Sequence, residues 1–329
     1  MVPIQSNNAR TIIVTGVGAI IGQGIVKSLR QTGRPFWIVG IDRNAHSMGS
    51  YLCDVFYTKP DCDESSPEYF DFWRKILVEE SVDLVLPGLE VDLFFLNEHK
   101  SLLSATGSIL ALNRAELIEL ARDKWLMGLE LHKAGLASIP TILSQDWQEC
   151  IRVFESAPFL LKPRRGNGSR GIVKLYDETD FHYWVNKSTD DFMMQKIVGN
   201  DEEEYTVGAF GFGDGDSLKP IIFRRKLSVA GNTQFAEVVS DEIIEQAVYK
   251  LSNYFKPIGP TNYQFRMDNG VPYLLEINPR LSSSTSLRTG FGYNEVEMAV
   301  DFYLENIKPE VPKISNGLAW RYSDDFLVK

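Results

Sequence analysis

Oxygen-bearing side chains recur on two neighbouring segments near the C-terminal end of the chain. Glu276 and Asn278 lie two residues apart in the apolar run 273–278, which reads as a β-strand. Side chains two apart on a strand share a face, and Gln264, on the segment before, adds a second amide. Carboxylate and amide oxygens are the hard ligands that Mg²⁺ prefers. The pattern predicts a magnesium site that holds nucleotide phosphates, with the cation Arg280 beside it.

The turn between these two segments decides which side chains share a face. Residues 268–270 (Asp-Asn-Gly) are typical turn residues. With a two-residue turn, Gln264 would pair with Leu275 and face away from Glu276, whereas a three-residue loop brings the polar groups to one face. We predict the three-residue loop, with Leu275 and Ile277 pointing to the core. The alternative is a half-exposed hairpin whose polar side chains simply face water.

A basic, glycine-rich segment at 162–171 lies between two apolar runs. Its glycines allow backbone N–H groups to turn toward an anion. Its four cations favour phosphate: Lys162, Arg164, Arg165 and Arg170. Residues 172–176 alternate like a strand, so this segment does not open a helix as the P-loop does. The alternative is a solvated hairpin tip.

A third segment, 192–198, is an apolar strand that ends in a short loop and four acids. Such a strand can pack an adenine ring and offer it main-chain hydrogen bonds. The last acid, Glu204, could then hold ribose hydroxyls. The alternative is that the acids only form a solvated turn.

In their order along the chain, these segments resemble the ATP-grasp enzymes, and among them the single-halved relatives of the carbamoyl phosphate synthetase large chain. The matching segments over about 115–300 are 123–124, 162–171, 204–207, 262–265 and 276–280. The resemblance implies an α/β chain with an N-terminal Rossmann-like domain at 1–114 and an ATP-grasp domain at 115–329. The second domain would comprise a small lid at 144–198 and an α+β catalytic part with an antiparallel sheet at 199–329.

The resemblance also implies a role for individual residues. Contacts to the phosphates, the adenine and the ribose of ATP would come from Lys124, Lys162, Gly166, Gly168, Ser169, Arg170, Gly171, Gln195, Lys196, Ile197 and Glu204. Magnesium, with manganese as an alternative, would be held by Gln264, Glu276 and Asn278. The groups that act on the phosphoryl group or the substrate carboxylate would be Arg280, Lys162 and Arg224, with Arg225 and Lys226 as further candidates.

The implied activity is ATP-dependent ligation of a carboxylate and an amine. The carboxylate would become an acyl phosphate, and the amine would displace phosphate to leave ADP and an amide bond. Phosphoryl transfer depends on positioning and charge neutralisation, which suits cations and metal ligands without a covalent nucleophile. Gln195 and Gln264 depart from relatives that carry carboxylates there. A nucleotide-binding protein without catalysis is an alternative, although Glu276 and Asn278 both remain.

The N-terminal segment 11–22 offers a competing interpretation. It reads as a strand, a glycine turn and a helix start, and a second strand follows that ends in an acid, as in nicotinamide-binding domains. That pattern would make the chain an NAD(P)-dependent sugar epimerase or reductase. Against it, Ala19 and Ile21 interrupt the glycine patterns of those enzymes. Tyr183 and Lys187 have the spacing of a reductase catalytic pair, which often arises by chance.

Composition sets broader bounds. The 329 residues carry a net charge of -10 with a pI near 5.1, which argues against nucleic acid as a partner. Three widely spaced cysteines predict reduced thiols and a cytoplasmic protein. No apolar run approaches the ~18 residues of a membrane helix and no leader is visible. The expected partners are small-molecule carboxylates and amines, and a homodimer is compatible with the sequence.

Overall fold

The computed structural model describes residues 9–166, 171–189 and 191–328. Three β-sheets organise the chain: a five-stranded parallel sheet, a four-stranded antiparallel sheet and a six-stranded antiparallel sheet. This arrangement confirms the predicted fold class, with a Rossmann-like sheet first and an antiparallel catalytic sheet last. The domain boundaries stay predictions, and the first strand of the four-stranded sheet, Thr141–Ile142, precedes the predicted lid start.

The N-terminal sheet is buried on both faces, as parallel sheets usually are. Its strands are β1 Arg10–Thr15, β2 Phe36–Asp42, β3 Val55–Thr58, β4 Leu84–Leu86 and β5 Ile109–Leu110, in the order β3-β2-β1-β4-β5. The helices of this region are α1 Ile20–Gln31, α2 Pro67–Glu79, α3 Glu90–Glu98 and α4 Lys100–Ser104. A short 3₁₀ helix, Met48–Leu52, precedes β3.

Two helices lead from this sheet to the second one. They are α5 Ala115–Ala121 and α6 Lys124–Lys133, and Asp123 caps α6 by accepting hydrogen bonds from two backbone N–H groups. The four-stranded sheet contains β6 Thr141–Ile142, β7 Phe159–Pro163, β8 Val173–Leu175 and β9 Phe192–Lys196, in the order β6-β9-β7-β8. It carries α7 Trp147–Phe154 and α8 Glu178–Lys187.

The six-stranded sheet forms most of the C-terminal half. After a 3₁₀ turn at Asp201–Glu203, its strands are β10 Glu204–Phe212, β11 Ile221–Leu227, β12 Thr233–Val239, β13 Ile258–Asp268, β14 Val271–Asn278 and β15 Leu318–Trp320. Their order is β14-β13-β10-β11-β12-β15. The helices here are α9 Glu242–Phe255, α10 Thr285–Gly290 and α11 Glu295–Ala299, and α11 continues into a π-helical turn, Val300–Leu304.

The apolar cores show how the sheets are connected. One core joins residues of the N-terminal sheet, such as Ile12 and Val14, to Phe210 and Phe223 of the six-stranded sheet. The four-stranded sheet has a separate core around Phe159. Over the described ranges, no helix is both long enough and apolar enough to cross a membrane.

Candidate nucleotide and metal site

A cleft of about 390 Å³ is lined by residues of the four-stranded and six-stranded sheets and, from the N-terminal region, by Ile21, Leu89 and Glu90. The predicted residues in its wall are Lys124, Lys162, Gly166, Gln195, Glu204, Gln264, Glu276, Asn278 and Arg280. The described predicted residues that do not line the cleft are Arg164, Gly171, Lys196, Ile197, Arg224 and Lys226. Three others, Gly168, Ser169 and Arg170, lie outside the described residues. The cleft therefore brings together most of the described residues that the sequence selects.

The β13–β14 hairpin corrects the predicted loop. The turn has two residues, Asn269 and Gly270, both with positive φ, as in a type I′ turn. The extra residue that brings Gln264 opposite Glu276 lies instead in a β-bulge within the strand. Leu275 is the extra residue on β14, and it lines the cleft, so the prediction that it points to the core is wrong. One inserted residue in a strand shifts which face the following side chains occupy.

Glu276 and Asn278 form the oxygen-rich wall of the cleft. Burial raises the pKa of the Glu276 carboxyl, and the nearby charge of Glu90 raises it further, whereas Lys124 and Arg280 oppose the rise. A carboxylate in such surroundings gains from a cation brought close to it. Asn278 Oδ1 lies 3.2 Å from Arg280 Nη2, which donates to it. The pair therefore presents oxygen ligands at a site that favours added positive charge.

The third predicted metal ligand is less available. Gln264 Oε1 accepts a hydrogen bond of 2.7 Å from Arg225 Nη2. In the part of the chain that the structure describes, no cluster of three or more His, Cys, Asp or Glu is placed to hold a metal. Glu276 and Asn278 therefore fit a Mg²⁺ ion that takes its other ligands from phosphates and water, which is how this ion usually binds.

Two lysines face this wall from other elements. Lys162, on β7, is buried, and its Nζ lies 3.3 Å from Gln195 Oε1. Burial lowers its pKa to about 8, with a further lowering from Lys124. Lys124 starts α6, and its Nζ donates to the carbonyl of Gly166 at 2.5 Å. Both ammonium groups are therefore placed to be stabilised by an incoming anion.

The glycine-rich segment is anchored at its base. Arg164 donates to Asp123, with 2.5 Å between Nη2 and Oδ2, and its carbonyl accepts a hydrogen bond from the backbone N–H of Lys124. Gly166 then lines the cleft, and Gly171 resumes the chain with a φ of +73°.

The predicted adenine pocket is only partly reproduced. Gln195 lines the cleft and donates to Thr141 Oγ1. The side chain of Lys196 instead pairs with Glu155 at 3.0 Å, and neither it nor Ile197 contributes to the wall. An apolar wall that sequence reasoning missed is formed by Leu160, Pro163, Ile172 and Leu275. The signal for Leu160 was available, because it shares a strand face with Lys162.

Strand alternation also decides which of two adjacent arginines faces the cleft. Arg224 pairs with Glu237 at 2.5 Å and is about half exposed, outside the cleft. The next residue, Arg225, is 5% exposed and lines the cleft, where burial lowers its pKa and Glu204 opposes that effect. Arg225, and not Arg224, therefore lines the cleft, since adjacent strand residues point to opposite faces.

Glu204 is buried between two cations. Its Oε1 accepts from Arg225 Nη2 at 2.9 Å, and its Oε2 accepts from Arg266 Nη2 at 2.6 Å. It lies in the cleft wall, as a ribose-binding residue must. Its predicted contact with ribose stays a prediction.

Other residues of the protein pack against the N-terminal glycine turn and accept its hydrogen bonds. The carboxylate of Asp42 accepts hydrogen bonds from the backbone N–H groups of Gly18 and Asn44. Gly49 packs so closely on the turn that a Cβ there would lie 1.7 Å from the Val17 carbonyl oxygen. The acid that would bind the adenosine ribose of a nicotinamide dinucleotide thus accepts hydrogen bonds within the fold, which disfavours that interpretation.

A family model described as ATP-grasp in the biosynthetic pathway with Ter operon matches residues 189–326. Among curated relatives, the carbamoyl phosphate synthase large chain of Deinococcus radiodurans is 22% identical, over 98% of this chain and 34% of that protein. The C-terminal section of the same enzyme from Aquifex aeolicus is 23% identical over 66% of this chain and 44% of that protein. The chain spans about a third of the length of the first of these relatives.

Solved structures share the fold. They include N5-carboxyaminoimidazole synthetase from Staphylococcus aureus with ADP (TM-score 0.72, 16% identity, 94% of this chain and 81% of that one). Biotin carboxylase from Campylobacter jejuni has a TM-score of 0.73 at 14% identity, over 94% and 74%. An L-amino acid ligase from Bacillus licheniformis has a TM-score of 0.70 at 18% identity, over 92% and 75%. The fold of these solved structures and the match of residues 189–326 to an ATP-grasp family model make this chain similar to ATP-grasp enzymes.

Proposed function

We propose that this chain is an ATP-dependent carboxylate–amine ligase that forms ADP, phosphate and an amide bond. One observation carries the proposal. Lys162 from the four-stranded sheet and Glu276 from the six-stranded sheet line the same cleft, and desolvation shifts the pKa of each side chain toward its neutral form, a shift that a bound nucleotide–metal complex would reverse. A phosphate would stabilise the lysine cation, and a divalent cation would stabilise the carboxylate.

In this proposal, the residues divide the work by charge. Lys124 and Lys162 neutralise phosphate oxygens. Glu276 and Asn278 would hold Mg²⁺, which supplies charge neutralisation to the phosphates when it is bound. The apolar wall of Leu160, Ile172 and Leu275 would pack the base.

Arg280 is placed to stabilise the phosphoryl group as it moves. Its Nη2 contacts both Asn278 and Glu90, so it lies between the end of β14 and the start of α3. The substrate carboxylate attacks the γ-phosphorus, the bond to ADP breaks, and an acyl phosphate forms. The amine then attacks the acyl carbon, and phosphate leaves. Water must be excluded from the site, because it would otherwise hydrolyse the acyl phosphate.

The test is ADP release from Mg-ATP with a panel of carboxylates, in the presence of hydroxylamine, which traps acyl phosphates as hydroxamates. We expect one class of carboxylate to produce ADP and hydroxamate together. Glu276→Gln should lower that rate about 100-fold or more, because a neutral amide holds Mg²⁺ less well than a carboxylate does. The negative charge that develops on the phosphates is then no longer neutralised. Glu242→Gln, an exposed acid at the start of α9, is the matched control and should keep the parent rate.

Two results would contradict the proposal. ADP release that no carboxylate stimulates, or that Glu276→Gln leaves unchanged, would remove the ligase mechanism. A thermal-shift scan separates the alternatives, because a ligand that binds only the folded state raises the melting temperature. Stabilisation by Mg-ATP supports the site, and stabilisation by NADPH alone would favour the reductase instead.

A further inference from the structure

The N-terminal sheet has a topological switch point. From β1 the chain builds outward to β2 and β3 on one side, and then to β4 and β5 on the other. In open α/β sheets, ligands bind in the crevice at the carboxyl ends of the two strands where this reversal occurs. Here that crevice is bounded by the segment after β1, 16–21, and the segment after β4, 87–90.

These two segments are packed against each other. A Cβ on Gly16 would lie 2.5 Å from Leu89 Cγ, and Gly88 donates its N–H to Thr15 Oγ1 at 3.0 Å. Ile21, Leu89 and Glu90 then line the same cleft as Glu276 and Arg280. The switch-point crevice of the N-terminal sheet is therefore continuous with the nucleotide and metal site.

Glu90 brings a negative charge to this crevice. Its side chain is 20% exposed, and its Oε1 lies 2.9 Å from Arg280 Nη2. Its helix, α3, is anchored two residues further on, where Asp92 forms a buried ion pair with Lys59. The carboxylate is thus held in place beside the arginine that the proposed function assigns to phosphoryl transfer.

The positively charged side chains described in the cleft wall already have partners or a proposed ligand. Each arginine described in the cleft wall has a carboxylate partner: Arg165 with Asp123, Arg225 and Arg266 with Glu204, and Arg280 with Glu90. Lys124 and Lys162 are the lysines of the described wall, and the phosphates of ATP account for both. A phosphorylated amine would therefore add two negative charges next to Glu90 without a free arginine in the described wall to receive them.

We propose that the switch-point crevice binds the second substrate as the ammonium form of an unphosphorylated amine, and that Glu90 is the residue that holds it. This inference rests on the proposed function. A carboxylate can accept several hydrogen bonds, so Glu90 can hold an ammonium group while it contacts Arg280. The amine nitrogen would then lie near the carbonyl carbon that Arg280 helps to activate.

The coupling step balances with Glu90 as the proton acceptor. The ammonium gives one proton to the Glu90 carboxylate, and the freed lone pair forms the C–N bond. The C–O bond to phosphate breaks, and its electron pair leaves with the phosphate. The phosphate takes the second proton from nitrogen, and Glu90 returns its proton to water. No oxidant, reductant or further reactant is needed.

The experiment compares two nucleophiles on the same acyl phosphate. Hydroxylamine is neutral near pH 7.5 and reports acyl phosphate formation, whereas an amine panel of amino acids, ethanolamine and phosphoethanolamine reports use of the crevice. We expect an unphosphorylated amine to be coupled, and phosphoethanolamine to be at least tenfold poorer than ethanolamine. In Glu90→Gln, the factor by which the KM for the coupled amine rises should be at least ten times the factor by which the rate of hydroxamate formation falls. Glu90→Asp should restore part of the lost amine coupling.

Glu98→Gln, an exposed acid at the other end of α3, is the matched control and should match the parent in both assays. If Glu90 only positions Arg280, hydroxamate formation and amine coupling will fall in Glu90→Gln by the same factor, which overturns the inference. Preference for phosphoethanolamine would also overturn it. If the parent forms no hydroxamate with any carboxylate, the proposed function itself fails, so the two failures are distinguishable.

Discussion

Lys162 and Glu276 explain how a site can be prepared for a ligand that carries both signs of charge. Each has a perturbed pKa with burial as the largest cause, the lysine toward its neutral form and the carboxyl toward its neutral form. A nucleotide with its metal ion reverses both penalties at once. The charged forms of these two side chains therefore cost free energy in the ligand-free protein, and binding removes that cost.

The pKa of about 8 for Lys162 predicts the pH dependence of nucleotide affinity. Bound phosphates keep the lysine protonated, whereas the free protein loses that proton as pH rises through 8. The dissociation constant for Mg-ADP should therefore increase by up to tenfold per pH unit above 8. Isothermal titration calorimetry between pH 7 and 10 measures this, and Lys162→Met should bind weakly with a flat pH profile. A flat profile in the parent protein would contradict the placement.

The same group affects folding with a definite sign. Its folded pKa of about 8 lies below the ordinary 10.5, so the penalty is complete below pH 8 and is relieved as pH rises from 8 to 10.5. Without nucleotide, Lys162→Met should raise the free energy of unfolding by roughly 2–3 kcal/mol at pH 7. That gain should shrink toward pH 10. A gain that stays constant with pH would mean that the methionine acts only through packing.

Residue types and alternation suffice to predict Glu276, Asn278 and Lys162, because each lies on a strand with apolar neighbours. They do not decide between Arg224 and Arg225, since either face of β11 could point to the cleft until its partner strands are known. Glu90 was not predicted, because one acid after a short strand has no distinguishing pattern. Its role depends on a contact with Arg280 that is 190 residues away in the chain.

At the scale of elements, the β13–β14 hairpin shows how one extra residue sets a site. Strand alternation predicts that Gln264 and Glu276 share a face only if one residue is added between them, and the Asp-Asn-Gly sequence predicts this residue in the turn. The structure places it at Leu275 as a bulge. An extra residue in the turn and an extra residue in the strand both shift the pairing by one residue and bring Gln264 and Glu276 to the same face. The hydrophobic pattern therefore could not distinguish them. Bulges occur beside active sites because they redirect a side chain, and here Leu275 joins the apolar wall.

Leu275 and Ile277 should therefore respond differently to truncation. Leu275→Ala removes a cleft side chain, and we expect about a tenfold weaker Mg-ADP affinity, or ~1.4 kcal/mol, with little change in melting temperature. Ile277 is 2% exposed in the core, so Ile277→Ala should cost about 2–5 kcal/mol of stability and leave the affinity of the folded protein near the parent value. Calorimetry and thermal unfolding on both variants provide the comparison. The reverse pattern would return Leu275 to the core.

At the scale of the whole molecule, the cores divide the chain in a way that suits its proposed chemistry. The N-terminal and six-stranded sheets share one core, so the crevice with Glu90 and the wall with Glu276 are held together. The four-stranded sheet packs around its own smaller core. The fold class was predictable from the resemblance of the ordered segments to ATP-grasp enzymes, but this division was not, because it depends on contacts between distant segments.

The separate core of the four-stranded sheet predicts where nucleotide changes the stability of the protein. With fewer buried residues of its own, this sheet should open locally more readily than the shared core. Lys162 and Gln195 belong to it, whereas Glu276 belongs to the other sheet, so Mg-ADP would join the two across the cleft. In hydrogen exchange, peptides from β7 and β9 should therefore slow markedly with Mg-ADP, and peptides from β1 should stay slow with or without it. Equal protection of β7 and β1 in the ligand-free protein, or no slowing of β7 with Mg-ADP, would mean that the four-stranded sheet does not close on the nucleotide.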